Sequence, residues 1–241
     1  MIEKMIKKNI RLLSHILLLA VITTCCFSCE TDLYETYSEY AGENVVSVGS
    51  PDSLSVESGF EKLLFKVFIN ADPKLKKGVI AWNLGGSEKT FNIDRTIYQN
   101  EIVEVEVDVT EGSYEFSVYM EDAHGNKSNT KSVFTQVLGE EYRASLGNRS
   151  LTNVRLYSET EAIAYWEPNT NELLIKTELT YISGVDGLEK VVVIDESEET
   201  VIIPDFLSEG SFSYKTFYKP SVDSRFVFET DSTEETFPVK P

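Results

Sequence analysis

Short runs of alternating apolar and polar residues dominate the chain from Val45 onward. Successive side chains of a strand point to opposite faces, so this alternation predicts β-strands. In the run 102–109, Val103, Val105 and Val107 share one face while Glu104 and Glu106 share the other, as expected for a sheet with one dry and one wet side. The strands predicted in this first half are 63–70, 78–83, 89–94, 102–109, 113–120 and 132–138.

A second set of alternating runs follows and predicts a second unit of the same kind. Turns containing glycine or proline separate the runs, no segment has a convincing helical periodicity, and this spacing favours β-sandwiches. The tetrapeptides Glu-Gly-Ser-Tyr at 111–114 and Glu-Gly-Ser-Phe at 209–212 open equivalent strands in the two units. The polar segment 139–150 is the expected boundary, so the domains predicted are 45–140 and 141–241. The second set comprises 152–158, 162–167, 173–182, 189–195, 200–205, 211–218 and 225–230.

The N-terminal segment has the pattern of an export signal. Four basic side chains lie within residues 1–11, and an apolar run covers residues 16–27. A membrane-spanning helix needs about 20 apolar residues, so this run is too short to indicate a retained anchor. Residues 1–28 are therefore predicted to be a signal peptide. The cysteines at its end indicate that it is the signal peptide of a lipoprotein.

All cysteines of the chain lie at positions 25, 26 and 29. Ser28 directly before Cys29 resembles a bacterial lipobox, in which the cysteine receives acyl chains such as palmitate and becomes the first residue after cleavage. A lipobox ending at Cys25 is the alternative, but it would leave Cys26 and Cys29 as exposed thiols. Cys29 is thus the predicted lipidation site, and 29–44 is the predicted acylated cysteine with a flexible tether.

Charge and composition narrow the classes of partner. The formal net charge is −18 and would become −21 without residues 1–28, so the surface repels nucleic acid and anionic lipid. An apolar share of 41% is enough to build packed cores, which argues that the acidic residues coat a folded exterior.

Residue patterns for catalysis or cofactor binding are not found. Beyond the signal peptide the only histidine is His124, in a Gly-Asn turn, where local hydrogen bonding is the expected role. The spacings typical of zinc, calcium and phosphate sites are lacking, so no metal and no cofactor are predicted. A pair of carboxylates remains the alternative, but the acidic segments 195–200 and 231–236 are interpreted as solvated loops, and we expect no enzyme.

Trp82 and Trp166 each admit two interpretations. An aromatic face can stack on a sugar ring. Each tryptophan nevertheless lies in a strand pattern, sharing a face with Ile80 or Ala164, which favours packing in the core.

The segment 118–128 resembles the final hairpin of bacterial fibronectin III-like domains. The matching positions are Tyr119, Asp122, Gly125, Asn126 and Ser128, followed by Val137, Gly139, Tyr142, Leu146 and Arg149. This order resembles a Bacteroides-type surface lipoprotein family that is catalogued as a domain of unknown function. The resemblance covers about residues 45–241 and implies an all-β fold, with two tandem immunoglobulin/fibronectin III-like β-sandwiches after the anchor.

What the resemblance implies for function is a non-catalytic surface module. Family members are encoded near glycan-uptake genes, so binding or spacing in glycan capture is expected, with an extracellular glycan as ligand. The alternative is a structural accessory subunit that docks on a surface transporter or adhesin. The acidic residues Glu30 and Asp32 resemble the signal that sends such lipoproteins to the outer membrane, facing the exterior. Ser53 and Ser232 resemble O-glycosylation acceptors, since each follows an aspartate and precedes leucine or threonine.

Overall fold

The computed structural model describes residues 47–240. The predicted signal peptide 1–28, the lipidation site Cys29 and the predicted tether up to residue 44 lie outside the described residues. The described part of the chain is built almost entirely from β-strands.

The first sandwich occupies the N-terminal half of the described chain. A three-stranded sheet of order β1-β2-β5 faces a four-stranded sheet of order β4-β3-β6-β7. Phe65 and Phe116 are fully buried between the sheets and meet edge to face at 5.1 Å between ring centroids. The strands are β1 (Ser53–Gly59), β2 (Lys62–Ile69), β3 (Lys77–Trp82), β4 (Ser87–Asn92), β5 (Glu101–Asp108), β6 (Gly112–Glu121) and β7 (Lys131–Val137).

The second sandwich repeats this plan. A sheet of order β12-β9-β8 faces one of order β11-β10-β13-β14, and β15 also pairs with β13. Its core includes Trp166, Leu179, Ile194, Phe206 and Phe237. The strands are β8 (Leu151–Leu156), β9 (Glu161–Trp166), β10 (Leu174–Ile182), β11 (Glu189–Asp195), β12 (Thr200–Pro204), β13 (Ser211–Tyr218), β14 (Phe228–Glu229) and β15 (Thr233–Thr236).

Both halves share one topology. Each sets its first, second and fifth strands against its third, fourth, sixth and seventh, and all pairs between named strands are antiparallel. In the second half β14 and β15, which pair with successive parts of β13, share the seventh position. This is the seven-stranded arrangement of fibronectin III-like sandwiches, with inward side chains of both sheets forming the core. The predicted all-β fold class, with two tandem sandwiches, is confirmed.

A short helix, α1 (Glu140–Ser145), connects the sandwiches, whereas the sequence pattern predicted no helix. The Glu111 carboxylate accepts hydrogen bonds from three backbone N–H groups at its start, those of Gly139, Glu141 and Tyr142, at 2.8 to 3.0 Å. The first N–H groups of a helix have no partner within the helix, so a carboxylate there stabilises it. The helix thus depends on a residue about thirty positions earlier in the chain, which its own short sequence does not reveal.

Aromatic side chains join the two sandwiches. Phe228 of β14 is buried; its ring meets Tyr142 of α1 edge to face at 4.9 Å between centroids and lies 6.3 Å from Phe60 of the first sandwich. Phe226 packs so closely on Gly59 that a Cβ there would lie 2.7 Å from the ring. This apolar contact, with the helix, makes residues 47–240 one compact unit.

The segment that precedes β14 explains one wrong prediction. The run 225–230 was expected to be a strand, but only Phe228 and Glu229 form one. Arg225 instead donates two hydrogen bonds from its guanidinium to the Glu104 carboxylate, at 2.7 and 3.0 Å, and its backbone N–H donates to Glu57 at 3.1 Å. Contact with the first sandwich therefore overrides the local alternation.

Candidate functional site

An open groove of about 450 Å³ lies beside the β3–β4 turn of the first sandwich. We call it the turn groove. One wall is the turn itself and the other is the outward face of β6, whose Ser117 lies directly opposite Ala81 of β3 in the ladder. Its lining residues are Ala81, Trp82, Asn83, Leu84, Gly85, Ser113, Tyr114, Glu115, Ser117, Tyr119 and Thr130.

The turn carries an unusual backbone. Asn83 and Leu84 both adopt the left-handed region, with φ of 53° and 55°, before Gly85 at 83°. For leucine this costs about 1–2 kcal/mol, and such strain occurs preferentially at functional sites. The Leu84 side chain is also fully exposed, so packing does not explain why it occupies the position. A strained, exposed leucine therefore stands at the rim of the turn groove.

The chemistry of the lining is aromatic and hydroxylic. Trp82 packs its partly buried ring against the first core, 5.7 Å from Phe116, and also lines the groove. Tyr119 lies on the outward face of β6, where Lys127 donates to its hydroxyl at 3.2 Å and stands 4.5 Å from its ring centroid. The bond to Tyr119, with attraction to Glu121, raises the pKa of Lys127, which stays charged. Rings, hydroxyl groups and the Glu115 carboxylate suit an uncharged ligand rich in hydroxyl groups.

The two tryptophans behave differently. Trp166 is 3% exposed and contacts Tyr214 edge to face at 5.1 Å, which confirms its predicted place in a core. The buried Trp166 Nε1 has no hydrogen-bond partner among the described residues. Trp82 is compatible with both core packing and sugar stacking, because it packs against the core and also borders the turn groove.

The hairpin that carried the family resemblance is held by Asp122. Its carboxylate accepts from the His124 and Asn126 backbone N–H groups at 2.8 and 2.9 Å, and from the Asn126 side chain at 2.8 Å. The Asn126 side-chain bond leads the effects that lower the pKa of Asp122, and the two backbone bonds add to it. Gly125 takes a φ of 84° in this turn, which glycine adopts without cost. The residues of the motif therefore shape the turn, to which His124 contributes its backbone N–H group.

Neither candidate modification site lines the turn groove. Ser53 opens β1 and Ser232 lies just before β15, and both are exposed. Asp231, beside Ser232, accepts a hydrogen bond from Arg143 of α1 at 2.6 Å. Cys29 is outside the described residues.

Metal-binding clusters and membrane-spanning helices are both absent from residues 47–240. No group of three or more His, Cys, Asp or Glu side chains in this part of the chain is placed to hold a metal ion. Across the same range, no helix has the length and apolar character to cross a bilayer.

A family model catalogued as DUF4998, a domain of unknown function, matches residues 29–224. The match spans most of the chain. The chain belongs to the DUF4998 family. No curated protein matches this DUF4998 chain.

Solved structures of fibronectin domains resemble the DUF4998 chain distantly. The FN1-FN3 domains of chicken CNTN1 are 10% identical, with 78% of this chain and 67% of that one covered and a TM-score of 0.36. A segment of two fibronectin type-III domains from chicken tenascin is 12% identical, with 78% and 99% covered and a TM-score of 0.31. The assignment of the fold stands on the strand order of the DUF4998 chain itself.

The turn groove of the DUF4998 chain was not predicted as a site. The only signal in the sequence is the segment Asn83-Leu84-Gly85-Gly86, where an apolar residue occupies a turn that otherwise favours glycine and asparagine. The sequence indicates that the ring of Trp82 could stack on a sugar, but it does not show which residues of β6 lie beside that ring. Those neighbours come from about thirty residues later, and only the β3–β6 ladder brings them to the groove.

Proposed function

We propose that the protein is a non-catalytic lipoprotein of the outer membrane, displayed at the cell exterior, whose two sandwiches present a glycan-binding surface. The turn groove is the observation that carries the binding role, because it joins aromatic rings, hydroxyl groups and a strained exposed leucine in one open cleft. The acidic exterior favours a neutral glycan over an anionic one. The compact contact between the sandwiches supports a spacing role, since it would hold the groove at a set distance from the second sandwich.

Affinity electrophoresis of residues 30–241 in gels that contain neutral polysaccharides tests the binding role. Tyr119→Ala should abolish retardation by a polysaccharide that retards the native chain. Phe217→Ala is the matched control, because it also removes an outward aromatic ring beside a lysine, but from the second sandwich and outside the groove. Equal retardation of Tyr119→Ala and the native chain, or no retardation by any neutral polysaccharide, would contradict the proposal.

Leu84→Gly separates binding from stability. Glycine relieves the left-handed strain at this position, although it costs about 0.5–1 kcal/mol of chain entropy. We expect urea unfolding to place this variant within about 1 kcal/mol of the native chain while its retardation by the glycan weakens. Unchanged retardation would mean that the exposed leucine takes no part in binding.

The lipid anchor and location rest on Cys29. The preceding Ser28 and the start of the family match at residue 29 support acylation at this position. Cys29→Ala should release the protein from the membrane fraction, and mass analysis of the native N-terminus should find acyl chains. Protease treatment of whole cells should cleave the protein if it faces outward. A native protein that resists shaving on intact cells but not after lysis would contradict the surface location.

O-glycosylation at Ser53 and Ser232 is part of the same proposal. Exposure of both hydroxyl-bearing residues supports it. The intact mass of the protein from its native host should exceed that of the lipidated polypeptide by sugar units, and the Ser53→Ala, Ser232→Ala double variant should lose them. A native mass equal to the lipidated polypeptide would dismiss the modification.

A protein-docking role is the alternative function. The observation that favours it is an edge strand of the second sandwich, β11, whose outer side pairs with no described strand.

A further inference from the structure

Strand β11 is the terminal strand of the larger sheet in the second sandwich. It pairs with β10 along its whole length, and no other strand of residues 47–240 pairs with it. We call its outer side, from Glu189 to Asp195, the β11 edge. The turn groove belongs to the other sandwich, so binding at the β11 edge does not depend on the glycan proposal.

The backbone groups that face this edge can be identified from the register. Ser183 donates its N–H to the Leu188 carbonyl at 2.9 Å, and the ladder continues through Ile182 opposite Glu189 and Tyr181 opposite Lys190. Opposed residues of an antiparallel pair alternate between hydrogen-bonded and non-hydrogen-bonded positions. The even-numbered residues of β11 therefore bond to β10, while the odd-numbered ones turn their N–H and C=O groups to the edge.

The end of the strand agrees with this assignment. At Asp195 the N–H already donates to the Glu198 carboxylate at 2.9 Å and the carbonyl accepts from Arg149 at 3.2 Å. Among the described residues, no group forms a hydrogen bond with the edge-facing N–H or carbonyl of Val191 or Val193. Their backbone groups are thus placed to pair with an added strand.

The side chains of the same residues are also exposed. Val191 and Val193 lie opposite Thr180 and Glu178 on the outer face, with 52% and 47% of their surface accessible. Ile182 is the next exposed apolar side chain along this face. Main-chain groups supply affinity and alternate side chains supply specificity when a peptide extends a sheet, and the β11 edge offers both.

Three other edge strands, β12, β4 and β5, carry features that disfavour such pairing. Strand β12 ends in Pro204, β4 places the exposed Lys89 opposite the core residue Ile80, and β5 lines its outer face with acids. In β11 the inward Lys190 lies near the start of the strand, where its Nζ is 3.2 Å from the Asp186 carboxylate. The stretch from Val191 to Ile194 has no charge, glycine or proline.

In the register that pairs all seven residues of the strand, charge disfavours a second copy of β11 as the occupant of the edge. A second copy of β11, antiparallel and centred on Val192, would place Glu189 opposite Asp195 at both ends, and like charges directly opposed destabilise a pair. The negative net charge of each copy adds to the repulsion. Basic residues opposite Glu189 and Asp195 would turn both repulsive contacts into attractive ones.

We propose that the β11 edge accepts an extended segment of a partner protein as an added strand, with apolar residues opposite Val191 and Val193 and basic residues opposite Glu189 and Asp195. The segment lengthens the sheet of the second sandwich at the side away from β10. This gives the protein-docking alternative a defined surface and a partner of defined chemistry.

A synthetic heptapeptide tests the proposal on residues 30–241. Its first and last residues are lysine, its third and fifth residues are valine, and the remaining three are threonine. Both termini are blocked. Titration followed by amide NMR should shift the signals of residues 189–195. The same peptide with glutamate in place of lysine should bind at least about tenfold more weakly, because it restores the repulsion with Glu189 and Asp195.

N-methylation of the peptide tests the pairing itself. The valine N–H groups would face the β11 edge and the threonine N–H groups would face away. Methylating the valine nitrogens should abolish binding, whereas methylating the threonine nitrogens should leave it nearly unchanged. If methylation of the valine nitrogens and methylation of the threonine nitrogens had equal effects on binding, the proposal would be overturned. This test leaves the protein itself unaltered.

Val193→Lys is the matching protein variant. It should weaken binding of the lysine peptide at least about tenfold, and Ile102→Lys, an exposed residue of the edge strand β5, should not. Shifts that map outside residues 189–195 would overturn the proposal. Sedimentation showing a native dimer that Val193→Lys dissociates would also overturn it, in favour of a second copy as the occupant.

Discussion

At the scale of single residues, identical residue types have different roles in the two sandwiches. Trp166 lies deep in its core, whereas Trp82 is shared between its core and the turn groove. The Glu111 carboxylate accepts hydrogen bonds from the start of helix α1. Its counterpart in the repeated tetrapeptide, Glu209, forms no side-chain hydrogen bond within residues 47–240. The environment of a residue, supplied by distant parts of the chain, decides which role it takes.

Trp166→Ala should destabilise the second sandwich by about 3–5 kcal/mol, since it leaves a cavity where a large ring was fully packed. Urea unfolding followed by circular dichroism measures this loss. Tyr157→Ala, which truncates an exposed ring of the same sandwich, is the control and should change stability by less than about 0.5 kcal/mol. A similar small effect for both would place Trp166 outside the core.

At the scale of secondary structure, the alternating pattern located the strands well. Most predicted runs became strands within about two residues of the predicted ends. The pattern missed β1, whose run Ser53–Gly59 is only half-buried, and β15, which is almost wholly polar. These strands exist because neighbouring strands supply their hydrogen bonds, and binary patterning does not report a bond to another strand.

Glu111→Ala should unfold or fray helix α1. The change removes three hydrogen bonds to the first N–H groups of the helix and is expected to cost about 1–2 kcal/mol, as for loss of an N-cap. Amide hydrogen exchange of residues 139–145 measures the fraying of the helix, and the free energy of unfolding measures the loss of stability.

Glu209→Ala is the matched control for this change, because it alters the same position of the repeated tetrapeptide. It should leave both exchange and stability nearly unchanged. If Glu111→Ala also left the exchange of residues 139–145 unchanged, the carboxylate would not be what holds the helix.

At the scale of the whole molecule, the contact between the sandwiches makes one unit from two repeats. Phe228 and Phe226 supply apolar contact, and Arg225 adds charged hydrogen bonds to Glu104 and Glu57. Leu64, between Glu57 and Glu106 on the outer face of the first sandwich, is almost completely buried although it lies outside the core. Each part of this contact comes from a loop or a strand face that would be solvated in an isolated sandwich.

Arg225→Met should loosen this contact while it preserves the apolar stem of the side chain. Small-angle scattering of residues 30–241 should show a larger radius of gyration than for the native chain. Lys215→Met removes an exposed ion pair within the second sandwich, between Lys215 and Glu229, and should leave the radius unchanged. Identical scattering of all three chains would show that the contact holds without the Arg225 side chain.

The same contact should respond to pH. Hydrogen bonds from Arg225 lower the pKa of Glu104 below its ordinary value of 4.5. Burial opposes the shift at Glu57, but bonds from Lys66 and from the Arg225 backbone outweigh it and lower that pKa as well. Both carboxylates therefore stabilise the contact above pH 4.5 and lose that effect as the pH falls through their lowered values.

Scattering measured from pH 7 downward should show the native radius of gyration increasing only below pH 4.5. The Arg225→Met variant should show a smaller change over the same range, since its Glu104 lacks the bond that lowers the pKa. An increase in the native radius that begins well above pH 4.5 would assign the effect to other groups.

The sequence by itself determined most of the strands, the fold class and the repeat, because alternation of side chains along a strand is a local property that each segment carries alone. It also pointed to Trp166 as a core residue, since its neighbours alternate with it. Tertiary structure alone decided the turn groove, the capping of α1 by Glu111, the contact made by Arg225 and the exposure of the β11 edge. Each of these joins residues that are far apart in the chain, and which strands become neighbours depends on the packing of all of them together.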